Sequence, residues 1–196
     1  MERKYAWHNY DDATMEKVYA LSDTYRQFLD NGKTERECVV QAVEFAEAKG
    51  YVNLNDIIKS NTSIKAGDKI YYTHMDKSIA LFNIGTDDIE LGMNILGAHI
   101  DSPRIDVKQN PQYEDSNLVF WDTHYYGGIK KYHWVAMPLA IHGVVVKTDS
   151  TRININIGDK ESDPVFCITD LLPHLGQEQM QKNAAKVIEG EALDLL

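Results

Sequence analysis

His99 and Asp101 stand two residues apart at the end of an apolar run, and both side chains are suited to a metal site. The apolar residues between 95 and 98 predict a short buried strand, which the turn-forming Pro103 ends. Residues two apart on a strand point the same way, so the imidazole and the carboxylate can serve one site. A neutral imidazole is a zinc ligand, and a nearby carboxylate can hold the ring in the ligating tautomer. The triplet alone leaves open that these are ordinary polar residues at a strand end.

The composition indicates a globular protein and argues against several classes of partner. The chain has 196 residues, 43% of them hydrophobic, and a net charge of −10 from 30 acidic and 20 basic residues. An acidic chain without a basic cluster is not expected to bind nucleic acid. The longest apolar runs fall short of a membrane span, and the N-terminus lacks the apolar core of a signal peptide. Cys38 and Cys167 lack the spacing of a disulfide framework, so we expect reduced thiols and a cytoplasmic protein.

The first half of the chain predicts helices followed by strands. Asp11 or Asp12 caps an amphipathic helix that Gly32 ends, and Thr34 with Glu37 forms a capping-box pattern for a second helix. A third, short helix is expected over the apolar positions 54–58. Strands are predicted at residues 69–73 and 78–84, and a last one ends at His99. His74 lies between the first two of these strands, where it either reaches a site or is simply solvated.

Beyond residue 103 the pattern changes to short strand-like segments with no periodic helix between them. They are residues 104–108, 117–123, 139–148, 152–157 and 165–169. Residues 139–157 predict a hairpin, and residues 177–190 favour either a helix or a surface loop. A change from mixed α/β to β-rich sequence indicates a second domain or an insertion.

Four strings resemble one enzyme family. Residues 97–108, which include the His-Ile-Asp triplet, resemble the first zinc-ligand segment of the aspartyl aminopeptidase and aminopeptidase I family of co-catalytic zinc metallopeptidases. Residues 69–82, 125–134 and 170–175 resemble other parts of the same family. The resemblance extends over nearly the whole chain but over only the N-terminal part of the family's length.

The resemblance implies an α/β fold in two parts. Residues 1–103 would be the N-terminal part of the catalytic α/β domain, and residues 104–196 part of an inserted, β-rich dimerisation domain. It also implies a zinc-dependent aminopeptidase that removes N-terminal residues from peptides by means of metal-activated water. The complete enzyme would use two zinc ions, with other divalent metals left open. The expected partners are a peptide substrate and further copies of the chain, joined through the β-rich domain.

Particular residues take roles from the resemblance. His99 matches the first zinc ligand, and Asp101 matches the catalytic-site carboxylate that positions it. Four further residues could contact substrate or line an interface, although a solvated loop is the alternative for each: His174, Lys130, Lys131 and His133. The Gly127-Gly128 string differs from that of the aspartyl-specific members, which puts a preference for acidic substrates in doubt.

The remaining ligands of a two-zinc site are not found in the sequence. The family carries an adjacent Glu-Glu pair after the inserted domain, and no such pair follows His99. We therefore expect an N-terminal portion of an aminopeptidase that is inactive alone, ending within the inserted domain. The alternative is a non-catalytic oligomerisation module derived from such an enzyme. Another metal-dependent hydrolase with a His-x-Asp triplet is disfavoured by the length of the matching strings.

Overall fold

Residues 4–196 are described by the computed structural model, and they form two compact units. The first unit ends at Asp101 and the second begins at Ser102. Helices and sheets both occur, in agreement with the predicted α/β class. Across residues 4–196, no helix has both the length and the apolar character needed to cross a membrane.

The helices of the first unit begin and end close to the predicted positions. They are a 3₁₀ turn at Ala6–Asn9, α1 at Asp12–Asn31, α2 at Glu35–Ala48 and α3 at Leu54–Lys59. The Asp11 carboxylate accepts a hydrogen bond from the Thr14 amide at 2.9 Å, which caps α1. Thr34 and Glu37 form the reciprocal capping box of α2, with the Thr34 amide 2.9 Å from Glu37 Oε2.

Helix α2 contributes more to the interior of this unit than α1. Cys38, Val39 and Ala46 of α2 are buried, whereas α1 has no buried residue. Two residues of the apolar face expected for this amphipathic helix, Tyr25 and Leu29, are exposed. In residues 4–101 the surroundings of α1 cover only part of its apolar face.

A small mixed sheet completes the first unit. Its strands are β1 at Val52–Asn53, β2 at Lys69–His74 and β3 at Ser78–Asn83, with β1 parallel and β3 antiparallel to β2. Residues 75–77 connect β2 to β3: Met75 and Asp76 have φ angles of 51° and 57°, and the Lys77 amide donates to the His74 carbonyl at 3.0 Å, which closes the turn. Tyr71 in the middle strand is buried, and its hydroxyl donates to Glu47 Oε1 of α2 at 2.7 Å.

The predicted strand before His99 is absent, which corrects the sequence analysis. After a 3₁₀ turn at Ile89–Leu91 the chain has no regular structure up to Ser102. Ile95 is 80% and Leu96 100% exposed, so the run is not buried either. A strand exists only when a neighbour accepts and donates its backbone hydrogen bonds. Nothing within residues 4–196 pairs with this run, which explains why the apolar pattern was misleading.

The second unit contains two antiparallel hairpins. The first pairs β4, Arg104–Asp115, with β5, Leu118–Tyr126, and a register shift lies between Val107 and Gln112. The second pairs β6, Ile141–Val146, with β7, Arg152–Ile157, which confirms the predicted hairpin. The strand predicted at residues 165–169 is only an isolated bridge between Leu139 and Phe166. Residues 177–190 hold one short helix, α4 at Gln177–Met180, and are otherwise turns and loop.

The end of the chain completes the core of the second unit. Ile168, Ile188, Leu193 and Leu195 form a buried cluster. The Trp121 amide donates to the Leu195 carbonyl at 2.9 Å, and the buried Thr123 hydroxyl donates to the Leu193 carbonyl at 2.6 Å. The last residues are thus held on β5 by backbone and side-chain bonds as well as by apolar packing. Cys38 and Cys167, predicted to be reduced, are both free thiols.

Candidate metal-ligand pair

His99 and Asp101 are in direct contact at the end of the first unit. His99 Nδ1 lies 2.9 Å from the Asp101 carbonyl oxygen and 3.2 Å from the carboxylate oxygen Oδ1. The His99 side chain is 82% exposed and that of Asp101 37% exposed. The two side chains were expected on one face of a strand; they instead come together in a segment without regular structure.

The hydrogen bond decides which ring nitrogen is available to a metal. A carbonyl oxygen accepts hydrogen bonds and cannot donate them, so Nδ1 must carry the proton in this contact. The neutral ring then has its lone pair on Nε2. A histidine that donates from one nitrogen to an oxygen and binds a metal through the other is the usual arrangement of a zinc ligand and its carboxylate partner. The chemistry of the pair fits one zinc ligand together with its positioning group.

The pair does not make a complete metal site by itself. Structural and catalytic zinc sites use at least three protein ligands. No group of three or more His, Cys, Asp or Glu side chains arranged to hold a metal is found in the part of the chain that the structure describes. His99 and Asp101 fit one ligand position of a zinc site, and a complete site needs at least two further protein ligands.

Lys130, Lys131 and His133 lie together at a 3₁₀ turn, Lys131–His133, in the second unit. Lys130 and His133 are exposed, and Lys131 is half-buried. The Lys131 ammonium lies 5.5 Å from the centre of the Tyr125 ring and 3.4 Å from the Ala185 carbonyl oxygen. Lys131 thus has a structural role within its own unit, and the other two side chains face solvent.

His174 lies in a different loop of the second unit. It follows Pro173 in a turn between the core residue Ile168 and α4, and its side chain is exposed. Leu171, Leu172 and Leu175 beside it are exposed as well. The loop therefore presents an apolar surface with one imidazole.

A polar cluster in the second unit was not found from the sequence. Lys108 Nζ lies 2.8 Å from Asp122 Oδ1 and 3.0 Å from Glu191 Oε2, and these two carboxylates raise the pKa of the ammonium group. Tyr113 donates to Asp194 Oδ2 at 2.6 Å, a bond that raises the pKa of the phenol to about 12. Each contact to the C-terminal segment joins residues about 80 positions apart, so no local pattern could reveal it. Because these groups pair with one another, the cluster holds the segment in place and does not form a catalytic site.

One cleft of about 280 Å³ lies within the second unit. Its charged lining residues are already paired: Lys182 with Glu189 at 2.9 Å, and Asp170 with the Gln179 amide at 2.8 Å. The cleft therefore presents no unpaired charge among these groups that would select a ligand.

The comparisons with known proteins agree on one family. A sequence model described as aminopeptidase I zinc metalloprotease (M18) matches residues 28–195. The probable M18 family aminopeptidase 1 of Clostridium acetobutylicum is 52% identical over 195 residues, which are 100% of this chain and 42% of that protein. The crystal structure of aminopeptidase I from that organism has a TM-score of 0.84 over the same shares of the two chains.

Two further structures extend the likeness. The M18 aminopeptidase of Thermotoga maritima is 44% identical, with a TM-score of 0.88 over 100% of this chain and 41% of its own. At 15% identity and a TM-score of 0.58, the mApe1 dodecamer of S. cerevisiae shares the fold over 90% of this chain and 46% of its own. The chain thus spans less than half the length of the curated relatives that it matches. On the family match and the two close relatives, the chain belongs to the aminopeptidase I family of zinc metalloproteases, M18.

Proposed function

We propose that the chain forms the N-terminal part of a zinc aminopeptidase that removes N-terminal residues from peptides. The observation that carries the proposal is the contact between His99 and Asp101, inside the stretch that matches the family model. In this family a zinc ion supplies a water molecule activated for attack on the scissile carbonyl. The free thiols of Cys38 and Cys167 suit a cytoplasmic enzyme.

The two side chains would have different roles at the metal site: one binds the metal and the other orients the ligand. His99 would bind zinc through Nε2, and other divalent metals fit the same imidazole. The carbonyl and carboxylate oxygens of Asp101 would accept the hydrogen bond that Nδ1–H donates, and this bond fixes the orientation of the imidazole ring. The carboxylate charge also favours the electron-rich imidazole that a metal requires. The second zinc ion and the other ligands would come from the rest of the enzyme.

We assign the two parts of the chain to different tasks. Residues 1–103 would belong to the catalytic α/β domain and residues 104–196 to an inserted, β-rich dimerisation domain. His174, Lys130, Lys131 and His133 all fall in the second part, where substrate or partner chains would meet them. The exposed leucines beside His174 support an interface there, because apolar patches on a stable protein are usually covered.

A homo-oligomer follows from this assignment. The S. cerevisiae relative is a dodecamer. The second unit of this chain has exposed apolar residues that a second copy would bury in an interface. Light scattering at high micromolar concentration should give a mass of at least two chains. A uniform monomer at that concentration would contradict the assignment of residues 104–196 to dimerisation.

The proposed catalytic role is best tested in a joined protein. The 196 residues would be followed by the part of the Clostridium acetobutylicum relative that lies beyond its matched stretch. We expect hydrolysis of aminoacyl-nitroanilides, inhibited by a chelator and restored by zinc. His99→Ala should remove metal from one site and with it most of the rate. Asp101→Asn should retain some metal and lose about 10- to 100-fold in activity or metal affinity, as changes to a ligand's hydrogen-bond partner do.

A matched control separates these effects from a general loss of charge. Asp87 lies in an exposed bend of the same unit, where its carboxylate accepts a 3.5 Å bond from the neighbouring Thr86 hydroxyl. Asp87→Asn should therefore leave both zinc content and rate unchanged. Normal zinc content and activity in His99→Ala would refute the proposed ligand.

One observation favours a second function. In the described residues no three metal-ligating side chains come together, while apolar surface is exposed in the second unit. A non-catalytic oligomerisation module has both properties. An oligomer of the 196-residue chain, combined with an inactive joined protein, would favour this module over the enzyme.

A further inference from the structure

Arg104 is the first residue of β4, and its guanidinium group contacts three neighbours. The centre of the group lies 4.4 Å from the centre of the Tyr126 ring, and Nε donates to Asp106 Oδ1 at 2.8 Å. Nη1 donates to the Ser102 carbonyl at 3.4 Å. The side chain is half-buried, and Tyr126 is also the strand partner of Arg104 in β5. A planar guanidinium that stacks on a ring and donates in two directions has little freedom to rotate.

The two residues before Arg104 are restrained as well. Pro103 fixes its own φ angle, and a residue that precedes proline is confined to extended backbone, so the ψ angle of Ser102 is restricted. Gly127, just beyond the end of β5, has a φ angle of 73°, and a side chain at this position would begin 3.5 Å from Pro103. The loop after β5 therefore packs against the proline. Residues 102–104 are thus held on the β4–β5 hairpin by backbone and side-chain contacts together.

This restraint extends to the oxygen that His99 contacts. The carbonyl oxygen of Asp101 belongs to the planar peptide unit that joins Asp101 to Ser102. The orientation of that unit relative to the Ser102 carbonyl depends on the φ and ψ angles of Ser102, and the proline already restricts ψ. The same Asp101 oxygen lies 2.9 Å from His99 Nδ1. Holding Ser102 therefore limits the directions in which this acceptor can point.

We infer that Arg104 is a positioning residue for His99: it holds the Ser102 backbone, and through the adjoining peptide unit it keeps the Asp101 carbonyl directed at Nδ1–H. Asp101 contacts the ring itself, whereas Arg104 acts one peptide unit away. The result is an imidazole whose Nε2 lone pair is left for a metal. The inference rests on the proposed function only for what Nε2 binds, because the orientation of the ring is a property of this chain alone.

The test is the tautomer of His99 in the 196-residue chain, measured by ¹⁵N NMR at about pH 8, where an ordinary imidazole is neutral. His99→Gln identifies the signal among the seven histidines. Nδ1–H should be the major tautomer in the native chain. Arg104→Met removes the N–H donors and keeps an apolar stem against Tyr126, and it should lower the ratio of Nδ1–H to Nε2–H by roughly 2- to 10-fold, the factor that corresponds to one net hydrogen bond. An unchanged ratio, or a native chain with Nδ1–H as the minor tautomer, would overturn the inference.

Arg104→Lys separates the positioning role from the charge. A lysine keeps a cation for Asp106, but one ammonium nitrogen cannot replace two donors set in a rigid fork. We expect the tautomer ratio to fall as in Arg104→Met, with a smaller loss of melting temperature. If Arg104→Met does not fold, the lysine variant decides. A native ratio in Arg104→Lys would overturn the role of the Ser102 bond.

Lys108→Met is the matched control for stability. It removes a cation from the same strand, one that is paired with Asp122 and Glu191. This variant should lower the melting temperature of the second unit and leave the His99 tautomer ratio unchanged. An equal fall of the ratio in Lys108→Met would mean that Arg104 affects His99 only through the stability of the unit, and it would overturn the inference.

The joined protein gives a second measurement. Arg104→Met should weaken zinc binding and lower kcat by up to about 10- to 100-fold, the range for groups that orient a metal ligand, while KM changes little. The tautomer ratio needs neither metal nor substrate, so the two proposals can fail separately. A ratio that depends on Arg104 in a protein that hydrolyses nothing would contradict the catalytic proposal and support the positioning role. An active joined protein whose His99 ratio does not respond to Arg104 would do the opposite.

Discussion

Replacing Leu193 with alanine should destabilise the second unit more than almost any other single truncation. Its side chain is 0% exposed and lies in the buried cluster with Ile168, Ile188 and Leu195. Leu193 also supplies the carbonyl that accepts the Thr123 hydroxyl, so the backbone there is held in place and cannot move to fill a cavity. A cavity that cannot collapse gives the largest loss on truncation.

The magnitude follows from burial. Leucine-to-alanine changes in protein cores cost about 2–5 kcal/mol, and the fixed backbone places Leu193 in the upper part of that range. Domains of this size are stable by only about 5–15 kcal/mol, so the loss is a large share of the total. With a urea dependence of about 1–3 kcal/mol per molar, the unfolding midpoint should fall by more than about 1 M while the slope stays the same.

Tryptophan fluorescence can follow this unit alone. Trp121 and Trp134 pack against the cluster, and the third tryptophan, Trp7, belongs to the first unit. Urea unfolding should therefore be measured in a Trp7→Phe background. Leu172→Ala is the matched control, since Leu172 is exposed and its truncation should change the free energy of unfolding by no more than about 0.5 kcal/mol. A loss below about 1 kcal/mol for Leu193→Ala, or a loss equal to that of the control, would refute the proposed core.

Three further predictions concern a helix cap, a titrating pair and the chain alone. Thr34→Ala removes one half of the capping box of α2 and should lower the free energy of unfolding of the first unit by about 1 kcal/mol, measured by urea denaturation followed by circular dichroism. The bond to Asp194 raises the pKa of Tyr113 to about 12, above the ordinary value of about 10, so its stabilisation is complete below pH ~10 and is lost as the pH rises to ~12. The difference in unfolding free energy between the native chain and Tyr113→Phe should shrink over that interval; a constant difference would contradict the bond. The 196-residue chain alone should retain no stoichiometric zinc after dialysis and hydrolyse no aminoacyl-nitroanilide, and chelator-sensitive activity of the purified chain would show this to be wrong.

The features that could be predicted from the sequence depend on residues close together in the chain. The capping box joins Thr34 to Glu37, and the connection between β2 and β3 lies at residues 75–77, within the break expected between the two strands. Contact between His99 and Asp101 also follows from a separation of two residues. Interactions of this range are encoded in a few neighbouring side chains, so a pattern is enough to find them.

The features that could not be predicted depend on distant parts of the chain. The bonds from Lys108 to Glu191 and from Tyr113 to Asp194 join residues about 80 positions apart, and no spacing rule connects them. The apolar run at residues 95–98 was predicted as a strand for a related reason. Its composition has the pattern of a strand, but a strand also needs a second segment to pair with, and none of residues 4–196 pairs with it. The apolar composition of residues 95–98 is therefore not enough to predict a strand, because the pattern cannot show whether a second segment is there to pair with it.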